Sequence, residues 1–298
     1  GHSGGSVVLL DTQGVLWTWG RNDFHQLGYD TKGISSIMQF SLPIMAEYQT
    51  NLTNLKDNWM VNFITGVLLI VVLIGAVIGL VNGFFVAKFK LHPFIVTLST
   101  QLVIFGAILM YLMTGTNNGQ TLSGLDPSYT EFVRGTLFSV GGVAVPKYVL
   151  YSVIITVIMW IIWNKTSFGK NMFAVGSNEE AANVSGVNVF ATIVGVFMLA
   201  GVMYGITGFM EGARIASSSA NTGLNYESDA IAACVIGGVS FVGGTGKISG
   251  VIVGVLLLQI IFVGLNFLSV SANMLYIIKG AIILAACAVD MRKYLAKK

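Results

Sequence analysis

"VNFITGVLLIVVLIGAVIGLVNGFFVA", residues 61–87, decides the fold, because it contains no Asp, Glu, Lys or Arg. A bilayer-crossing helix needs roughly 20 consecutive, mostly apolar residues, at about 1.5 Å of rise each. The same absence of charge recurs over 94–125, 148–164, 181–210, 230–246 and 248–278. None of these runs alternates apolar with polar residues, so they predict helices rather than the strands of a barrel. Across the 298 residues, 54% are hydrophobic and 10% charged, with a mean hydropathy of +0.78. A soluble domain carries about 25% charged residues. The chain is therefore read as all-α, a polytopic membrane helix bundle.

About seven hydrophobic segments are expected, near 61–87, 94–115, 148–163, 188–210, 230–243, 248–268 and 274–290. The fifth is short and is interrupted by Gly237, Gly238, Gly243 and Gly244, the pattern of a half helix. Such a break is tolerated in a membrane only where protein or water covers the backbone. The sixth and seventh are joined by the short turn "SVSAN". Gly75, Gly79 and Gly83 repeat at intervals of four, as do Gly246, Gly250 and Gly254. Small residues at that spacing let helix backbones approach each other in lipid, so these glycines are assigned to helix packing. A part in a moving gate is the second reading.

The polar residues supply the orientation. Basic residues of short loops favour the cytoplasm. With the end of the first span inside, Lys88, Lys90, Lys165, Lys170, Lys247, Arg292, Lys293, Lys297 and Lys298 are cytoplasmic, and Arg134, Lys147 and Arg214 lie outside. Loops 116–147 and 211–229 are then external, and loop 164–187 is internal. Cys234 and Cys287 fall in apolar runs and read as small buried hydrophobes. His2, His25 and His92 are too dispersed to hold a metal, and no cofactor is expected. Nothing points to nucleic acid.

The internal loop reads "NKTSFGKNMFAVGSNEEAANVSGVNV", residues 164–189. Ser177 or Asn178 can cap a helix there, Glu179 and Glu180 fall in its first turn, where acids suit the dipole, Ala181 and Ala182 continue it, and Gly186 can end it. Gly169 and Gly176 punctuate the approach. From pattern alone this is a surface helix, either a solvated connector or a docking element.

This stretch resembles the coupling loop of permease subunits of ATP-binding-cassette sugar importers, of the ribose and galactose class. Lys165, Thr166, Gly169, Ala174, Gly176, Asn178, Ala181, Ala182, Ser185, Gly186, Val187 and Val189 carry the likeness. "HPFIVTLST" (92–100), "ESDAIAACVIGGVSFVGGTGKISGVIVGVLL" (227–257) and the C-terminal "YIIKGAIILAACAVD" are similar to the family's other motifs. The wording "WNKTSFGKN", "VSGVNV" and "DAIAACVIGGVSF" leans toward the galactose and methyl-galactoside members, with ribose, xylose and other small sugars as alternatives. The resemblance implies a multi-pass permease of the bacterial inner membrane that does no chemistry on its sugar. It implies an ATPase subunit docked on a loop containing Lys165, Gly169, Lys170, Gly176, Asn178, Glu179, Glu180, Ala181, Ala182 and Gly186. It also implies a second permease copy and a periplasmic sugar-binding protein. No GxxxxGK[ST] phosphate loop is present, so ATP hydrolysis is expected on a separate subunit.

Residues 1–60 depart from the pattern, where the resemblance implies about three further helices. "GVLWTWGRNDFHQLG" (14–28) resembles one repeat of a chromosome-condensation-regulator propeller. A single repeat cannot bury its own faces, so a poorly anchored hairpin is expected, arising from fusion, gene rearrangement or an error of assembly, with a loop of an unusual permease as the alternative. Residues 31–60 read as an interfacial helix and a polar connector. The domains are accordingly an atypical tail, 1–60, and a permease transmembrane domain, 61–298, truncated at its N-terminus relative to the family. Lys279, in the last span, reads as snorkelling to the interface or lining a pore. Glu211, Arg214, Glu227 and Asp229 flank the outer loop and read either as contacts for the lobes of a binding protein or as a solvated outer rim. Asn82, Thr97, Ser99, Gln101, Tyr204 and Gln259 are the polar groups within spans, and none stands out as a substrate contact. Two other classes are disfavoured: an ion-coupled secondary transporter would want an intramembrane carboxylate, whereas the nearest, Asp290, lies at the cytoplasmic end of the last span, and a tethered propeller fragment would need more of the chain to be propeller-like.

Overall fold

The computed structural model describes residues 7–10, 16–19, 38–39, 43–114, 119–240 and 243–295. The chain divides into two compact units, 1–66 and 67–298. In the first, β1 (Val7–Leu10), β2 (Leu16–Trp19) and β3 (Met38–Gln39) form an antiparallel sheet in that order, with Val7 opposite Trp19 and Trp17 opposite Gln39. Most of the propeller-like stretch 14–28 lies outside the described residues.

Helix α1 runs from Pro43 to Phe89, and only Asn62–Phe89 is apolar enough to span. The expected polar connector before residue 61 is instead helical. Between Pro43 and Gly66 the sequence contains neither proline nor glycine, so nothing breaks the hydrogen-bond ladder.

In the second unit the chain continues through α2 (Pro93–Met113), α3 (Pro127–Arg134), α4 (Lys147–Lys165), α5 (Ser167–Ser177), α6 (Glu179–Val184), α7 (Val189–Ile215), α8 (Tyr226–Ile236), α9 (Ile248–Phe267) and α10 (Ala272–Leu295). Among the described residues, five helices are long and apolar enough to cross a membrane: α1, α2, α4, α7 and α9. With α8 and the apolar part of α10, Asn273–Ala288, they account for the seven hydrophobic segments. Helix α8 is the half helix: it stops at Ile236, short of the expected 243, because Gly238 turns the chain at φ 83°.

Leu102, Val103, Leu256 and Ile260 are among the many large apolar side chains that face outward along the spans. In water this would be a liability; in lipid it is the ordinary surface of a helix bundle. With lipid outside, no hydrophobic force pushes spans together, and contact must come from fit. Here glycine provides it. A Cβ on Gly75 would run into the Gly201 carbonyl, one on Gly201 into that of Gly75, and one on Gly79 into the Phe197 carbonyl; one on Gly83 would stand 2.8 Å from the Val194 Cα. Gly205 of α7 is closed in the same way by Val71 and Val72. A second seam joins α8 to α9, where Gly237 meets Gly250, and Gly254 meets the Ala233 carbonyl. Ala232, Ala233 and Leu258 are buried there beside Ile282 and Ile283 of α10.

The loops expected at 116–147 and 211–229 are more ordered than plain connectors. Strand β4 (Leu122–Ser123) pairs with β7 (Ser217–Ser218), and β5 (Thr136–Val140) with β6 (Val143–Pro146) around a Gly141-Gly142 turn. Helix α3 is clamped to the bundle by rings. Tyr129 packs edge-on against Phe209 at 4.9 Å, Phe132 stacks on Tyr151 at 5.7 Å, and the Tyr129 hydroxyl donates to the Phe209 carbonyl. Burial raises the Tyr129 pKa.

Candidate functional site

At the opposite end from α3, helices α5 and α6 occupy the internal loop. The expectation was one short helix; the structure has two, split at Asn178. At the first elbow the Thr166 hydroxyl accepts from the Gly169 N–H at 3.1 Å and donates to the Ile162 carbonyl. Gly169 is buried, and a Cβ there would strike the Trp163 and Ile162 carbonyls, so α4 and α5 could not fold this closely with a side chain in its place. Trp163 then meets Phe173 edge-on at 5.4 Å. Lys165 sits over Trp160, 5.7 Å from the ring centre, and Lys170 is exposed in the first turn of α5.

At the second elbow the Asn178 carboxamide oxygen accepts from the Ala181 N–H at 2.9 Å. Glu179 and Glu180 occupy the first turn of α6, both exposed, and Ala182 is buried. Ser185 follows as the C-cap, and Gly186 at φ 82° reverses the chain into Asn188, which caps α7. Val184 projects into solvent, 89% exposed. Sequence patterning passed over it; a valine on so small and polar a helix was the available signal.

Three connections tie this loop to the spans. Phe168 of α5 packs into a notch on α7 left by Gly195, where a Cβ would stand 2.8 Å from its ring. Gly176 and Ser177 lie against the Gly243–Gly244 turn that follows α8; a Cβ on Gly176 would stand 2.9 Å from the Gly244 nitrogen. Lys90, His92 and Glu179 border a cavity of about 480 Å³, with Thr192 of α7 on its wall. The glycines assigned to helix packing therefore separate. Gly75, Gly79, Gly83, Gly237, Gly250 and Gly254 lie between helices. Gly243 and Gly244 instead abut α5, Gly238 has nothing within 4 Å of its missing Cβ, and Gly246 faces only Val239 in its own loop.

The loop is thus two short capped helices packed on α7 and on the turn after α8, with Val184 bare to solvent. The model of the family described as "Branched-chain amino acid transport system / permease component" matches residues 33–287. The chain belongs to that family. The match begins at residue 33, within the stretch expected to be tail. Similar curated proteins include the galactose/methyl galactoside import permease of Haemophilus influenzae, 46% identical over 78% of this chain and 68% of the relative. The Escherichia coli protein of the same name is 45% identical with the same coverage. The ribose import permease of Bacillus subtilis is 37% identical over 71% of this chain and 63% of its own. No solved structure matches. This permease is thus a multi-pass membrane transport component of the ABC importer class.

The remaining sequence candidates are placed as follows. Asn82 accepts from Thr100 at 2.6 Å, joining α1 to α2, while Thr97 and Ser99 donate to carbonyls of their own helix. Gln101, Tyr204 and Gln259 are exposed on the bundle surface. Lys279 is not merely snorkelling: its ammonium donates to Asp229 of α8 at 2.8 Å and lies 4.6 Å from the Phe262 ring centre. Arg214 grips Glu211 through Nε and Nη2 at 2.7 and 2.6 Å, and Tyr226 donates to the same carboxylate at 2.8 Å. That bond holds the Tyr226 proton and raises its pKa.

Proposed function

We propose that this chain is the permease subunit of an ATP-driven importer that carries galactose or methyl galactoside across the bacterial inner membrane. The carrying observation is the 45–46% identity to permeases named for that sugar, against 37% and 36% for those named for ribose and L-arabinose. The α5 end faces the cytoplasm, since Lys88, Lys90, Lys165, Lys170 and Lys247 lie there, and the α3 end with Arg134, Lys147 and Arg214 faces the periplasm. An ATPase subunit docks on α5 and α6. A sugar-binding protein delivers to the α3 end, and two permease copies flank the path. Closure of the ATPase pair moves α5. Its contacts with Gly195 and with the Gly243–Gly244 turn pass that motion to α7 and α8 as a rigid-body shift. Exposed Glu179 and Glu180 contribute only about 0–1 kcal/mol per ion pair, so shape carries the docking.

The test is co-purification with a galactose-importer ATPase in mild detergent, comparing the native chain with one whose residues 177–186 are a Gly/Ser linker. Capture by the native chain alone is expected. Capture by neither, from a monodisperse membrane protein, would remove the importer reading. Galactose uptake abolished by collapsing the proton gradient while ATP stays high would replace it with ion coupling.

A further inference from the structure

We infer that the groove between α4 and α7, toward the α3 end, binds a neutral hydroxyl-rich solute, a hexose or similar polyol. The inference rests on the importer reading and assigns that sugar a place. The groove encloses about 330 Å³. Tyr148, Ser152 and Thr156 line it from α4 at intervals of four residues, and Thr207, Glu211 and Arg214 line it from α7 at intervals of four and three. Both spacings put each set on one helix face. Elsewhere α4 is almost wholly apolar between Tyr151 and Trp163. Ile155 and Met210 complete the lining, and the charged Glu211–Arg214 pair at its end marks a wet or ligand-filled path, since lipid would not solvate those charges.

The chemistry selects the ligand. The Ser152, Thr156 and Thr207 hydroxyls each spend their proton on a carbonyl four residues back, at 2.7–2.8 Å. What they present to the groove is lone pairs. Glu211 adds carboxylate oxygens, and the Arg214 guanidinium has N–H donors beyond the two it gives to Glu211. Each sugar hydroxyl both donates and accepts, so it can give its proton to these lone pairs and take an N–H from Arg214. Glu211 and Arg214 offset each other's charge, which favours a neutral solute over an anion or cation. Tyr148 supplies an aromatic surface at the same end. Glu211 and Arg214 were read from sequence as part of the outer rim; Ser152, Thr156 and Thr207 were not singled out, since single Ser and Thr residues in spans look like ordinary helix-bonded hydroxyls.

The test is saturation-transfer NMR on the full chain in nanodiscs, with galactose, ribose, mannitol and leucine as probes. Galactose is expected to give a signal with the native chain. Thr156→Val with Thr207→Val, which keeps shape and removes lone pairs, is expected to weaken it about tenfold or more. An unchanged galactose signal in the variant, no signal from any sugar or polyol, or a signal from leucine alone each overturns the groove. Ribose or mannitol in place of galactose, lost in the variant, upholds the groove and overturns the galactose assignment. Normal galactose uptake by cells carrying the variant leaves the importer reading standing and removes the groove. Should the double variant not fold, Thr156→Cys in a Cys234→Ala, Cys287→Ala background gives a second reading. Labelling by a hydrophilic maleimide should slow several-fold in excess galactose, and labelling that galactose does not slow overturns the proposal.

Discussion

Glycine makes two different contacts in this molecule. Between α1 and α7, Gly75, Gly79 and Gly201 sit in regular helix and bring two backbones together. Between α5 and the turn after α8, Gly243 and Gly244 stand at φ 106° and 73°, a conformation that a side chain disfavours, and present bare backbone to Gly176 and Ser177. The first contact joins spans over several turns and has no partner but lipid if it opens. The second is one turn touching one helix end, outside the apolar windows. A seam of the first kind holds the bundle; a contact of the second kind can slide or lever. The same residue type thus joins helix to helix in one place and turn to helix end in the other, and under the importer reading the second contact is the one that transmits motion.

Breaking the seam should have the largest effect. Gly201→Leu must displace the Gly75 carbonyl in α1, and overpacking of this kind costs about 1–3 kcal/mol or more. The expected outcome is loss of the monodisperse peak in detergent, read by size-exclusion chromatography. A native-like peak and melting temperature would mean that the seam is loose and that the contrast with the turn fails.

Next is Gly244→Val. The positive φ alone costs about 1–2 kcal/mol for a residue with a side chain, and its Cβ would also press on Ser177. The bundle should fold with a lower melting temperature. Sugar uptake should fall far more than ATPase capture does, because docking is intact while its link to α8 is pushed aside. Equal losses in both would make this turn part of the docking surface rather than a lever.

How much of this was legible in the sequence follows the same division. Runs without charge located all the spans but the last, since the bilayer sets their length and makes charge within them costly; the last segment carries Lys279. The half helix was readable from Gly237 and Gly238. Asn178 was readable as a cap, because a cap depends only on its neighbours. The split of the loop into α5 and α6 was not, since Ser167–Ser177 contains two glycines and is fixed by Phe168 seated on Gly195, a contact across the fold. The Asp229–Lys279 pair was missed for the same reason: fifty residues separate the partners. The helical nature of residues before 61 was hidden by their polarity, which argued for a connector although nothing there breaks a helix.

That ion pair offers a contact by charge beside the contact by glycine, since α8 is held to α9 by Gly237 and to α10 by Lys279. Lys279→Met leaves the Asp229 carboxylate facing an apolar neighbour. Both groups are partly exposed, so the cost is below that of a fully buried pair, about 1–3 kcal/mol. Adding Asp229→Asn should recover much of it, as the orphaned charge disappears. Melting temperatures of the native chain, the single and the double variant decide this. A double variant as unstable as the single would mean that Lys279 acts through Phe262 and not through Asp229.

The smallest effect on stability should accompany a large effect on assembly. Val184 is 89% exposed on α6 and touches little of its own chain, so Val184→Asp should shift stability by no more than about 0.5 kcal/mol. If α6 is a docking helix, however, this side chain enters the partner, and a carboxylate buried there without a counter-charge costs several kcal/mol. The melting temperature should therefore hold while ATPase capture is lost. Val184→Leu, which keeps an apolar surface, should retain capture. If Val184→Asp binds the ATPase as well as the native chain, the contact rests on α5, and the helix that reads so clearly in the sequence is only the connector that returns the chain to α7.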